Sequence, residues 1–473
     1  MEQRTPHSQK TDLVIIEAYI NEAQEMCQAL DSQTLTEAVK SIKKISRLHK
    51  NNSKVVMLQN CYALALSKII KLQDLADAKA TGETLIEFAQ KHPDNYEIHP
   101  AFAEGMAALA EKKDWASGAE AVDNLSKLYL LHLDDAFYAQ QYAKGIASHT
   151  TESVASQVAA IESIESLFER FPESIELAST ISGALFKLST LESGEDRANT
   201  INKLEKLATR FPSSAKAAKD LGKALIELLK EQETEEADLT LRRLSNLGVS
   251  FPQAPEAVEA FSEGIYEFSQ KDGSKNIAEC VGMIAELYEV HPDSKAIAIN
   301  YTKALVSLSY TQSNYEDIKR TFDKIAEMSV LHLNSAEFVQ SYALGLVNLL
   351  AKQTGAEAEA TADLLSKCYM SHPGNQAITF AYGRGLFCLA DRQDVEAAKE
   401  TLQILRLICI ANPKNEQLPV QFAMGVSNII ARDVSCKDIF LTMLNTIMRS
   451  HKSNQDLVDV YNRLVKTIIR AGI

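Results

Sequence analysis

Residues 211–252 read FPSSAKAAKDLGKALIELLKEQETEEADLTLRRLSNLGVSFP. From Ala215 to Leu229 apolar side chains recur three and four apart, at Ala217, Ala218, Leu221, Leu225 and Leu228. That is the period of one face of an α-helix. A polar stretch from Lys230 to Glu236 interrupts it, and a second amphipathic helix runs from Ala237 towards Val249. It stops before Phe251-Pro252, because the residue preceding proline avoids the α region. Phe211-Pro212 opens the segment in the same way. The stretch is therefore one helical hairpin bounded by two copies of the same turn.

Outward from it the turn recurs. His92-Pro93, Phe171-Pro172, His291-Pro292, His372-Pro373 and Asn412-Pro413 share its form, and together the seven dipeptides use seven of the eleven prolines. His132 and His332 hold the same phase in Leu-His-Leu turns, and His49 and His451 flank the set. The anchors are spaced by 39–43 residues throughout. Ten residues after the anchor stand Phe102, Tyr142, Ile181, Leu221, Phe261, Tyr301, Tyr342, Tyr382, Phe422 and Tyr461. Thirteen after it stand Gly105, Gly145, Ala184, Ala224, Gly264, Ala304, Gly345, Gly385 and Gly425. A Leu/Ile/Met/Val column follows one residue later. Inter-helix turns are expected at Ser193-Gly194-Glu195, Asp272-Gly273-Ser274 and Gln312-Ser313-Asn314.

A single hairpin cannot bury its apolar faces alone; stacked neighbours bury them for each other. The small residue lets a partner helix approach, and the aromatic and aliphatic columns fill the space between units. The expected fold is all-α: a single right-handed superhelical solenoid of about eleven hairpins, with a C-terminal capping helix near 455–470. Residues 1–12 are expected to be a disordered or extended tail, and 13–473 one continuous array. The 473 residues, 46% hydrophobic and 24% charged, suit this, and 18 glycines exclude collagen-like repeats.

The pattern resembles the tetratricopeptide (TPR) family. Asp220-Leu221-Gly222-Lys223-Ala224-Leu225 looks like its first-helix motif, Ala237 or Ala198 like the small residue of the second helix, and Pro212 or Pro252 like the closing proline. The family repeat is about 34 residues and this one about 40, so its helices or inner turn are longer. The resemblance implies a superhelix whose first helices line a concave peptide-binding groove.

No enzyme motif is present: no Walker A loop, HExxH, GxSxG or GxGxxG. Tyr382-Gly383-Arg384-Gly385 continues the small-residue column. Seven of ten histidines are anchors, but Phe171, Phe211 and Phe251 fill the same slot, which therefore asks for a flat ring and not a metal ligand. Neither a cofactor nor a metal is expected. Seven scattered cysteines without a CxxC pair fit a reduced, cytoplasmic protein. The polar N-terminus has no apolar signal region, and no run of about 20 apolar residues offers a membrane span. A net charge of −14 argues against general nucleic-acid binding and against an anionic membrane partner.

A polar stripe occupies the opposite side of the first helices. Its members at nine, twelve and sixteen residues past the anchor share one helical face. Gln141, Lys144, Lys223, Asn300, Lys303, Ser341 and Arg384 are the candidate partner-binding residues. A second candidate is a basic docking face of Lys40, Lys43, Lys44 and Arg47, within a run from Val39 to Lys54 that contains no acid. It would take an acidic partner, the acidic middle of another copy included, so a homo-oligomer stays open. The expected function is a non-enzymatic scaffold or adaptor that binds a peptide or folded protein along the superhelix. The alternative is a regulatory receptor whose solenoid takes a short signalling peptide.

Overall fold

The computed structural model describes residues 6–112, 114–251, 254–271, 277–332 and 335–471. Among them every regular element is helical. The chain divides into two compact units: Met1–Leu228 with Arg243–Ala257, and Leu229–Arg242 with Val258–Ile473. In the first unit the hairpins are α1 (Pro6–Ala29) with α2 (Leu35–Asn51), α3 (Val56–Leu72) with α4 (Leu75–Lys91), and α5 (His99–Ala110) with α6 (Trp115–Leu131). These are followed by α7 (Ala136–Ser148) with α8 (Val154–Arg170), and α9 (Ile175–Leu191) with α10 (Gly194–Arg210). Helices α11 (Ala215–Glu231) and α12 (Thr234–Ser250), and the first turn of the helix that follows them, contribute residues to both units. The second unit continues with α13 (Pro255–Ser269) and α14 (Ile277–Val290), then α15 (Lys295–Thr311) and α16 (Tyr315–Leu331). It ends with α17 (Ala336–Leu350) and α18 (Gly355–Ser371), α19 (Gln376–Arg392) and α20 (Val395–Ala411), α21 (Gln417–Arg432) and α22 (Lys437–Ser450), and a last helix α23 (Gln455–Ala471). Of the expected tail, residues 1–5 lie outside the described residues and Pro6 onward is already helix. The expected turn at Asp272-Gly273-Ser274 also lies outside them.

The anchor works as a junction between consecutive hairpins. It caps the C-terminus of a second helix, with φ near −130° at His92, His132, His332 and His372. The amide three residues on donates back to the anchor carbonyl, as in Ser174 to Phe171 and Asn375 to His372. Proline in the second position of that turn has its φ preset. The side chain at the third position after the anchor then caps the next helix: Ser174 accepts from the Leu177 amide, Ser214 from Ala217, Ser294 from Ile297 and Asn454 from Leu457. Within hairpins, Gly194 (φ +57°) and Gly355 (φ +59°) open second helices in the left-handed region that side chains avoid.

First helices pack side by side within each unit: α3 on α5, α5 on α7 and α7 on α9; α15 on α17, α17 on α19 and α19 on α21. Each also packs on the second helix that precedes it. The small-residue column sits at that second contact. A Cβ added at Gly345 would come within 3.2 Å of Phe322 and 3.3 Å of Ile325 on α16. One added at Gly145 would meet Leu125 at 2.6 Å, and at Gly385 would meet Leu365 at 2.5 Å. Phe422, Leu346, Leu225 and Ile265 from the neighbouring columns are fully buried.

Candidate functional site

The polar stripe divides in two. Nine residues past the anchor, Gln141, Asp220, Asn300 and Ser341 are buried at 5–7% exposure. There Asn300 Nδ2 donates to Ser262 Oγ on α13 at 2.9 Å, and Ser182 Oγ of α9 donates to Asp220 Oδ2 on α11 at 2.7 Å. Both bonds tie adjacent first helices together. Gln141, Asn300 and Ser341 therefore do not face solvent, contrary to the expectation for the stripe. Three residues add about 300° of helical rotation, which leaves some 60° of arc between the two positions. That arc turns the ninth position into the helix–helix seam and the twelfth outward.

The twelfth position is a cation at Lys144, Lys223, Lys303 and Arg384 but not at Glu104, Gly183, Glu263, Leu344 or Met424, and three of those four cations lie over an aromatic ring of another first helix. Lys223 Nζ sits 5.9 Å from the Phe186 ring centre in the first unit. In the second unit Lys303 Nζ is 5.7 Å from Tyr266, and the Arg384 guanidinium is 5.6 Å from Tyr310. Arg384 is on α19 and Tyr310 on α15, so that contact reaches over α17. Burial pushes the Tyr266 and Tyr310 hydroxyls above the ordinary tyrosine value, with Arg384 pulling Tyr310 the other way. Both rings are thus neutral at physiological pH and present a π face to the cation. Asn348 Nδ2, beside Tyr310, donates to Ser309 Oγ at 2.6 Å.

Lys144 belongs to a cleft of about 480 Å³ on the first-helix face of the first unit. Lys187 of α9 and Lys216 of α11 also line it, with Glu111, Glu176 and Gly183. Lys216 Nζ pairs with Asp220 at 2.6 Å and stands 3.0 Å from where a Gly183 Cβ would be. Glycine leaves the ammonium room there. Of the seven expected residues, Lys144 and Lys223 are on first helices of the first unit, Lys303 and Arg384 on first helices of the second, and Gln141, Asn300 and Ser341 are buried.

The basic run is exposed at Lys40, Lys43, Lys44 and Arg47, with Ile45 fully buried on the opposite side of α2. Lys44 is ion-paired with Glu22 of α1.

Sequence reasoning passed over Phe186, Tyr266, Tyr310 and Lys216. Phe186 and Tyr266 stand fifteen residues after their anchors, a phase outside the three columns of ring, small residue and aliphatic. It also missed a second recurring cation, twenty residues past the anchor. Lys112 Nζ donates to the carbonyls of Lys71 (3.1 Å) and Gln73 (2.7 Å) at the end of α3. Lys271 does the same to Lys230 and Gln232, and Arg432 reaches Ala390 and Gln393. Each neutralises the carbonyl end of the preceding first helix.

The anchor rings behave as the shared His/Phe slot requires. His132 stacks on Tyr138 at 4.1 Å and His332 on Phe338 at 4.3 Å, while Phe211 and Phe251 are buried. His99 Nδ1 and His132 Nε2 are 2.9 Å apart, so one ring donates to the other. Among the described residues no three His, Cys, Asp or Glu side chains are grouped to hold a metal ion, and no helix is long and apolar enough to cross a membrane.

The chain is an all-helical repeat protein built from hairpins of about 40 residues. No family model matches it, and no curated protein matches it. Among solved structures, the crystal structure of yeast Tom70 aligns over 96% of this chain and 99% of its own, at 10% identity and a TM-score of 0.36. A circular tandem repeat protein with novel repeat topology and enhanced subunit contact surfaces aligns over 97% and 99%, at 13% identity and a TM-score of 0.16. The fold assignment rests on the chain's own helices and their order.

Proposed function

We propose that this protein is a non-enzymatic interaction scaffold that holds a peptide or a segment of a folded partner on its first-helix face. The observation that carries the reading is the cation held over a neutral aromatic ring at the same repeat phase three times: Lys223 on Phe186, Lys303 on Tyr266 and Arg384 on Tyr310. Such a pair offers a partner a charge and a flat apolar surface together, already ordered before binding. The partner's matching chemistry is carboxylates interleaved with apolar side chains. The seven cysteines are free thiols, which supports a cytoplasmic setting.

The test begins by capturing a partner on the immobilised full-length chain and measuring its affinity. The double change Lys303→Ala with Arg384→Ala should weaken binding at least tenfold, about 1.4 kcal/mol or more, and leave the melting temperature nearly unchanged. Affinity should also fall as salt rises. Unchanged affinity in the double variant refutes this placement and moves the site to the basic face around Lys43 and Arg47.

A further inference from the structure

The first unit brings two thiols together. Cys27 on α1 and Cys61 on α3 are 34 residues apart in the chain, and Cys27 Sγ donates to the Cys61 carbonyl at 3.2 Å. Lys68, further along α3, grips the same stretch of α1. Its Nζ donates to the Cys27 carbonyl at 3.1 Å and pairs with Asp31 at 2.6 Å. These contacts hold the two helices in one register where the cysteines meet. Both cysteines are buried, yet both line a cleft of about 470 Å³ with Gln24, Gln28, Asn60 and Lys68 among its walls. The two thiols also differ in acidity. The Cys61 side chain, then burial, push Cys27 above the ordinary thiol value, while the Cys27 side chain pulls Cys61 below it. The thiolate is the reactive form of cysteine, so Cys61 is the nucleophile of the pair. Burial alone has the opposite result at Cys409, whose thiol is pushed up to about 12.

We propose that Cys27 and Cys61 are a redox-responsive dithiol, which hydrogen peroxide converts into a disulfide that pins α1 to α3. The Cys61 sulfur attacks one peroxide oxygen. The O–O bond breaks, the S–O bond of a sulfenic acid forms, and the other oxygen leaves as water with the Cys61 proton. The Cys27 sulfur then attacks the Cys61 sulfur. The S–S bond forms, the S–O bond breaks, and the hydroxyl leaves as water with the Cys27 proton. The two thiols lose two electrons and the peroxide takes them up. The bridge closes a loop that contains the whole of α2, and so restrains opening of the N-terminal hairpin. In a reducing compartment such a bridge is transient and acts as a sensor.

The test exposes the folded full-length chain to hydrogen peroxide, alkylates the remaining thiols in denaturant and maps the peptides by mass spectrometry. A Cys27–Cys61 linked peptide that dithiothreitol removes is expected, with Cys409 fully alkylated. Cys27→Ser should stop the chemistry at a sulfenic acid on Cys61, trapped by dimedone. Cys61→Ser should leave Cys27 unoxidised under the same exposure. Hydrogen exchange along α1 should slow at least about tenfold in the bridged chain. The wild-type map decides the pairing whether or not a variant folds. Absence of the linked peptide, pairing of Cys27 or Cys61 with any of the other five cysteines, dimedone labelling of Cys27 in Cys61→Ser equal to that of Cys61 in Cys27→Ser, or unchanged exchange in α1 would each overturn the proposal.

Discussion

His49 and Phe171 hold the same place in their repeats, yet only one of them responds to pH. Burial, then the neighbouring His92 and Lys50, hold the His49 imidazole below its ordinary value of about 6.5. Burial does the same to His99 and His149. The folded chain therefore binds fewer protons than the unfolded chain once the pH drops through about 6.5. Stability conferred by neutral imidazoles is present above that pH and is lost as pH falls towards the folded values. Thermal melts between pH 7.5 and pH 5 should show a falling midpoint, and His49→Phe should flatten the fall while leaving the pH 7.5 midpoint close to wild type. An equally steep fall in the variant would mean that His49 does not contribute. Glycine at 345 is the other residue-scale constraint. Gly345→Leu would drive a side chain into Phe322 and Ile325 and should cost about 1–3 kcal/mol in denaturant unfolding; no loss would show that α16 yields freely.

At the scale of the helix, repeated polar contacts set how neighbours dock. The seam residue Asn300 was legible as polar and periodic but not as buried, because its burial comes from a helix 38 residues away. Ser262 Oγ also donates to the Glu259 carbonyl, so replacing Asn300 leaves it a partner. Asn300→Leu, close in volume, should therefore cost no more than about 0.5–1.5 kcal/mol, measured by urea unfolding. A much larger loss would mean the seam depends on that bond. The cation that clamps the preceding helix end is separable in the same way. Lys112→Met keeps the aliphatic stem and removes the charge, and should cost about 0.3–1 kcal/mol with faster hydrogen exchange at the end of α3. Exchange unchanged near Lys71 and Gln73 would show that the clamp does not order them.

For the whole molecule the dominant electrostatic fact is the net charge of −14. Its exposed ion pairs, such as Lys127 with Asp123, are of the kind that contribute little. Self-repulsion should therefore outweigh them, and raising salt from about 10 to 150 mM should raise the melting midpoint through screening. A falling midpoint would place the net effect of the ion pairs above the repulsion.

The local pattern determined the helical hairpins, their repeat period, the junction turns and the small-residue column. Each of these depends on residues within about one repeat of one another, and their chemistry recurs: a ring, a proline, a capping Ser or Asn, then a helical period. The tertiary structure decided which part of the polar stripe faces outward. That depends on how far each first helix is rotated against neighbours one and two repeats away, as the Arg384–Tyr310 contact shows. It also decided that Ile404, Leu407 and Ile410 stay uncovered. In the sequence they are indistinguishable from the buried Leu405, Ile408 and Cys409 beside them. A helix so apolar on two faces has its buried side chosen by the helices it packs against, here α19 and α21.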